Sequence, residues 1–201
     1  MKNVSIEHLN IPDAEVTYFP EFYSCEEAEK YYTLLVRKVD WVQNKIKMYG
    51  KENLVPRLEA WYGDKGMNYT YSGITQEPKP WIDELLEIKS AIEPVTNTAF
   101  NSVLINFYRD GQDRVGWHSD DEKELGPNPI IGSVSLGAKR KFKLRHKMYV
   151  ENGLETDLVL GNGSLLLMKG TTQQFWKHEI PRTSVPIEGR INLTFRVIVS
   201  N

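Results

Sequence analysis

The stretch Arg190-Ile191-Asn192-Leu193-Thr194-Phe195-Arg196 constrains the fold of this chain more than any other. Polar and apolar residues alternate along it without a break. Successive side chains on a strand point to opposite faces, so the stretch is an extended strand with two distinct faces. Ile191, Leu193 and Phe195 form an apolar face that must be buried. Arg190, Asn192, Thr194 and Arg196 form the other. A single arginine on a half-buried strand is ordinarily a surface charge. Two arginines with Asn and Thr between them describe an interior lined for an anion, because guanidinium forks match carboxylates bidentately. A ligand with two carboxylates would engage both.

This strand ends a series. After Phe100 the sequence reads as short extended runs: Val103–Tyr108, Ile130–Leu136, Arg140–His146, Thr156–Leu160, Ser164–Met168, Trp176–Ile180 and Arg190–Val199. Turn signals such as Asp110-Gly111, Asn152-Gly153 and Gly161-Asn162-Gly163 separate them. Two helices precede them. Ser24-Cys25-Glu26-Glu27 is a capping box opening a helix to about Lys38, with Ala28, Tyr31, Leu34, Leu35 and Val39 near one face. Pro78-Lys79-Pro80-Trp81 opens a second, which Pro94 closes. The expectation is one α+β domain over residues 1–201, with a jelly-roll core at about 100–199 and two packing N-terminal helices. A length of 201 residues suits one sizeable core. Cys25, the sole cysteine, excludes an internal disulfide and reads as a small buried hydrophobe.

Residues 41–73 differ in character, with frequent aromatics, glycines and lysines. Met48-Tyr49-Gly50-Lys51 reads as a hairpin tip carrying an apolar-aromatic pair and a cation, and Tyr69 and Tyr71 share one face of a short strand. Two readings stand side by side: a twisted β layer with core aromatics, or a substrate lid whose rings stack on bases while its cations meet phosphates. The net charge of −2 gives no global basic field, so any nucleic-acid contact must be local. The opening MKNVSIEHLNIPDAE lacks the apolar core of a signal peptide, and no run is long enough to span a bilayer. An intracellular protein without membrane contact is expected, cytoplasmic in a bacterium and nuclear in a eukaryote.

The chemistry concentrates between Leu104 and Glu122. Asn106 and Tyr108 share a strand face; past the Asp110-Gly111 turn, His118 and Asp120 share another. A His-x-Asp pair joined by a distant His is the sequence form of a two-histidine, one-carboxylate facial triad, which holds non-haem Fe(II) and leaves positions open. His178, in FWKHEIPRT, is the distal candidate. His8 falls in a mobile start, and His146 in a basic strand, facing phosphate or solvent.

The ordered set Asn106-x-Tyr108, His118-x-Asp120, His178 and Arg190-x-Asn192-x-Thr194-x-Arg196 resembles the AlkB family of Fe(II)/2-oxoglutarate dioxygenases, and within it the DNA-repair branch. The likeness runs from about Val42 to Ile198. It implies a double-stranded β-helix with a nucleotide-recognition lid at about 41–73. It implies iron on His118, Asp120 and His178, and 2-oxoglutarate held by Asn106, Tyr108, Arg190, Asn192, Thr194 and Arg196. Tyr49, Gly50 and Lys51 then match an intercalating finger, Tyr69 and Tyr71 the aromatics around a flipped base, and Asp121 and Glu122 acidic positions beside the substrate. The activity implied is oxidative demethylation of N1-methyladenine and N3-methylcytosine in single- or double-stranded DNA by a monomer, using O2 and 2-oxoglutarate and releasing formaldehyde, succinate and CO2. RNA or protein substrates are the alternative within the family. A zinc hydrolase could use the same three ligands but has no need of two arginines in one cavity. A non-catalytic jelly-roll binder has no need of the ligand set.

Overall fold

The computed structural model describes residues 5–48, 51–67, 69–71 and 74–199, with the backbone alone at 46–48, 51, 69–71 and 74–76. Its centre is a pair of antiparallel sheets. The larger has seven strands in the order Glu7–Leu9, Glu15–Phe19, Ser164–Lys169, Ile131–Gly137, Arg190–Arg196, Ser102–Tyr108, Leu58–Gly63. The smaller has four: Glu155–Leu160, Arg140–His146, Trp176–Ile180, Val115–His118. Two hairpins, Lys45–Met48 with Lys51–Leu54 and Tyr69–Tyr71 with Ile74–Gln76, pair separately from both sheets.

The alternation in Arg190–Arg196 is realised with every residue of the strand buried. Its apolar face joins Val103, Ile105, Val134 and Leu136 beneath the two long helices. Its polar face looks toward the smaller sheet. Cross-strand register puts Arg190 opposite Tyr108 and Asn192 opposite Asn106, so the polar sets of two strands merge. On the other side Asn192 faces Ser135 and Thr194 faces Ser133.

The helices supply the outer layer. In Cys25–Lys38 the capping box forms as read: the Ser24 Oγ accepts from the Glu27 N–H at 3.2 Å, and the Ser24 N–H donates to Glu27 Oε2 at 2.8 Å. Glu26 and Glu27 in the first turn and Arg37 and Lys38 in the last complement the helix dipole. The second helix, Asp83–Thr96, buries Leu85, Ile88 and Ile92 completely. Each such side chain stabilises the fold by about 1.5–3 kcal/mol through burial alone.

Several expectations change. The second helix starts at Asp83 rather than in the Pro78–Trp81 stretch, and it runs through Pro94 to end at Asn97 in the left-handed conformation. Pro94 lies in the last turn, so the ring ends the helix only with help from the Asn97 cap. Cys25 is exposed, because the first helical residue after a cap projects outward. His8 lies in an ordered edge strand with its Nδ1 3.1 Å from Thr17 Oγ1. His146 is buried, sharing the inner face of its strand with Phe142 and Leu144 rather than meeting solvent or phosphate. Residues 41–73 are divided: Leu58–Gly63 is an edge strand of the large sheet with Trp61 and Tyr62 in the core, which leaves the two hairpins as the separate pieces.

Candidate active site

Three side chains able to ligate a metal meet on the inner face of the smaller sheet. The ligand atoms of His118, Asp120 and His178 all lie within 4.8 Å of one another. His118 and His178 are paired residues on adjacent strands. Asp120 follows two residues past the strand end, its Oδ2 3.7 Å from His178 Nε2. The His118 Nδ1 lies 2.8 Å from the Gly116 carbonyl. A carbonyl only accepts, so Nδ1 is the donor and the Nε2 lone pair is left for a metal. The Asp120 N–H donates to Gln173 Oε1 at 2.9 Å, and the Ser119 Oγ donates to the Trp176 carbonyl at 2.9 Å. These two bonds lock the first two ligands onto the segment that carries the third.

The electrostatics suit metal ligation. Burial, helped by His118, pushes the His178 imidazole down to about 3, with Asp120 opposing, so it is neutral and has a free lone pair near pH 7. Burial pushes Asp120 up, but the Arg196 guanidinium, by its charge and its hydrogen bond, leads the opposing contributions that hold the carboxyl below its usual range. Arg196 Nη2 bonds directly to Asp120 Oδ1, a pair with both side chains buried. That contact occupies one carboxylate oxygen and orients the other toward the histidines.

The same cavity has a cationic end. Arg190 is 1% exposed and donates from Nη2 to Ser135 Oγ at 2.8 Å. Its Nε and Nη1 are buried with no hydrogen-bond acceptor among the described residues. Leaving such donors unpaired costs about 1–3 kcal/mol each, which a carboxylate ligand would recover. Asn106, Tyr108, Thr194, Asn192 and Arg196 line the cavity with it. The Asn192 amide is already committed, donating to Ser133 Oγ at 2.8 Å and the Val134 carbonyl at 3.1 Å. A neutral-imidazole and carboxylate donor set beside unpaired guanidinium N–H groups fits both the iron and the 2-oxoglutarate that the sequence implied.

The residues expected beside a substrate are placed unequally. Glu122 lines the cavity, and its buried Oε2 has no hydrogen-bond donor among the described residues. Asp121 does not enter; it is exposed and pairs with Lys147 Nζ at 2.9 Å. Neighbouring residues on extended backbone point oppositely, so only one of the two can face inward. Tyr49 and Gly50 lie outside the described residues, and Lys51, Tyr69 and Tyr71 are placed by backbone alone in the two hairpins.

Two contributors were not singled out from sequence. Arg57, 6% exposed, lines the cavity and donates from Nε to Asn106 Oδ1 at 2.8 Å, while its Nη2 meets Glu59 Oε1 at 2.5 Å. The bond makes Asn106 Oδ1 the acceptor and so turns its Nδ2 away as a donor. Gln173, 1% exposed, fixes Asp120 as described. For Arg57 the signal was present: Arg57, Glu59 and Trp61 alternate with Leu58, Ala60 and Tyr62.

Comparison with known proteins agrees with this geometry. The model of the 2OG-Fe(II) oxygenase superfamily matches residues 15–196. The alpha-ketoglutarate-dependent dioxygenase alkB homolog 3 of Rattus norvegicus is 43% identical over 195 residues, which are 92% of this chain and 64% of that protein. The DNA oxidative demethylase ALKBH2 of Homo sapiens is 39% identical over 203 residues, 97% of this chain and 77% of that protein. The chain therefore spans just under two thirds of the first of these relatives. The solved structure of OsALKBH1 superposes with a TM-score of 0.64 at 17% identity, covering 96% of this chain and 100% of that one, a likeness of fold.

Proposed function

This chain belongs to the AlkB family of the 2OG-Fe(II) oxygenase superfamily, and from that premise we propose that it removes alkyl groups oxidatively from N-alkylated DNA bases, N1-methyladenine and N3-methylcytosine among them. The observation that carries the proposal is the meeting, in one cavity, of the His118–Asp120–His178 cluster with the acceptor-less Nε and Nη1 of Arg190.

His118 Nε2, His178 and the free oxygen of Asp120 would hold Fe(II). Arg190 would take the far carboxylate of 2-oxoglutarate. Bound iron with 2-oxoglutarate and O2 supplies an oxidant for a nearby C–H bond, with succinate and CO2 as co-products. This chain supplies geometry and charge. Arg196 keeps Asp120 ionised and oriented, and the surrounding apolar residues Leu104, Val115 and Phe142 limit water. Glu122 offers a buried carboxylate oxygen to a cationic base, the charge state of both methylated lesions. A hydroxylated N-methyl group would then release formaldehyde.

A base inside a duplex cannot reach this cavity, so it must be extruded. The two hairpins at Lys45–Leu54 and Tyr69–Gln76 are the natural recognition elements, with Tyr49 as wedge and Tyr69 and Tyr71 as stacking rings. The test is succinate and formaldehyde release with methylated single-stranded DNA, duplex DNA and RNA side by side. Stoichiometric formaldehyde on DNA supports the proposal. Release on RNA alone would move the substrate class, and zinc-dependent hydrolysis without succinate would overturn the proposal.

A further inference from the structure

Tyr108 carries two guanidinium groups against its ring. The Arg190 Cζ lies 5.3 Å from the ring centroid and the Arg140 Cζ 5.4 Å from it. Arg190 lines the cavity, whereas Arg140 does not, although it is only 3% exposed. Arg140 Nη1 donates to the Asp110 carbonyl at 3.2 Å, and Nη2 to the carbonyls of Asp113 at 2.8 Å and Pro181 at 2.7 Å. These acceptors are neutral, so they satisfy its hydrogen bonding without cancelling its charge, which the nearby Asp113 and Asp110 carboxylates offset only in part. The Asp113 carboxylate is committed to Arg109, accepting from its main-chain N–H at 2.9 Å, Nε at 2.7 Å and Nη2 at 2.9 Å.

We infer that Arg140 is a positioning residue that determines specificity, placing a second fixed positive charge behind Tyr108 so that this end of the cavity selects a 2-oxo acid with a carboxylate tail over one with an apolar tail. The inference rests on the 2-oxoglutarate reading above. Two cations held over one ring repel each other, and burial together with Arg140 draws the Arg190 guanidinium down to about 10, against an opposing contribution from Tyr108. An anion beside Arg190 relieves that repulsion. With the two charges on the order of 10 Å or less apart, the added attraction is about tenfold in affinity.

The experiment titrates Mn2+-loaded protein by calorimetry with N-oxalylglycine, whose tail is a carboxylate, and with 2-oxopentanoate, whose tail is apolar. Wild type, Arg140→Gln and Arg140→Lys are compared. Arg140→Gln is expected to weaken N-oxalylglycine about tenfold and to leave 2-oxopentanoate within about twofold. Arg140→Lys should keep the preference while melting lower, because an ammonium keeps the charge but cannot reach three carbonyls as the fork does. Equal weakening of both ligands in both variants would make Arg140 a mere brace and overturn the inference. An unchanged N-oxalylglycine affinity in Arg140→Gln does the same. If Arg140→Gln fails to fold, Arg140→Met takes its place beside Arg140→Lys: a preference kept with Lys and lost with Met supports the inference, and one kept in both or lost in both overturns it. Wild-type protein that binds neither ligand overturns the 2-oxoglutarate reading and this one with it.

Discussion

His118 and His178 sit directly opposite one another on adjacent antiparallel strands, with their ring centroids 4.3 Å apart. The backbone ladder therefore sets the separation of the two imidazoles. Asp120 is held otherwise, by Arg196 and by Gln173.

That difference predicts unlike stabilities when His118 and Asp120 are each removed. His118→Ala and Asp120→Ala should both abolish turnover. His118 is half-buried and its loss should change the melting temperature little. Asp120→Ala removes the carboxylate from a buried ion pair, and breaking such a pair from one side costs about 3–5 kcal/mol. Melting of the metal-free variants, alongside demethylation, checks this. An Asp120→Ala variant as stable as His118→Ala would show that Arg196 finds other compensation.

Arg190→Lys should raise the half-saturating 2-oxoglutarate concentration. Lysine keeps the charge but loses the planar fork. A hydrogen bond to a charged group is worth about 1.5–3 kcal/mol, or roughly ten- to over a hundredfold in affinity. Steady-state titration at saturating DNA reads the shift. No shift would remove the carboxylate from Arg190.

Asp113→Asn tests an acid-sensitive brace. Burial pushes the Asp113 carboxyl up, but hydrogen bonds from Arg109 and the charges of Arg109 and Arg140 pull it below the usual range. A carboxyl depressed by folding stabilises above its unfolded pKa, and the contribution fades as pH falls through the folded value. The variant should lose about 1–2 kcal/mol at neutral pH, a gap that narrows below about pH 4. Melting curves at pH 7 and pH 3 decide it; a gap that does not depend on pH would mean that the charge is irrelevant.

Tyr49→Ala should hurt duplex substrate most. An aromatic wedge offsets part of the unstacking cost in a duplex and is idle on a single strand. Activity on methylated duplex should drop about tenfold, and on the single strand by less than about twofold. Tyr71→Ala, removing a stacking ring, should lower both. Equal losses for Tyr49→Ala on the two substrates would mean that Tyr49 packs the hairpin rather than parting strands.

The cavity was legible where period-two alternation met unusual residue types. Arg190–Arg196 announced both of its faces, and His118-x-Asp120 with His178 announced the metal cluster. What escaped was set by tertiary context. Arg140 and His146 are polar residues on inward faces, and their burial follows from the sheet that covers them, whereas the inward face of Arg57 shows in the local alternation. Local sequence shows that Arg140 shares a face with Phe142 and Leu144, but not that three distant carbonyls await it. The split between Asp121 and Glu122 was readable from alternation alone.

The strand Arg190–Arg196 lies between Ile131–Gly137 and Ser102–Tyr108, yet it follows every other strand of the large sheet in the chain. Its two neighbours each depend on it for a partner along one edge, so without it the sheet would be two halves with a gap between them. Such edges recruit other chains. The strand that joins the two halves also carries the cavity's two arginines, so completion of the sheet and completion of the cavity's cationic wall are one event.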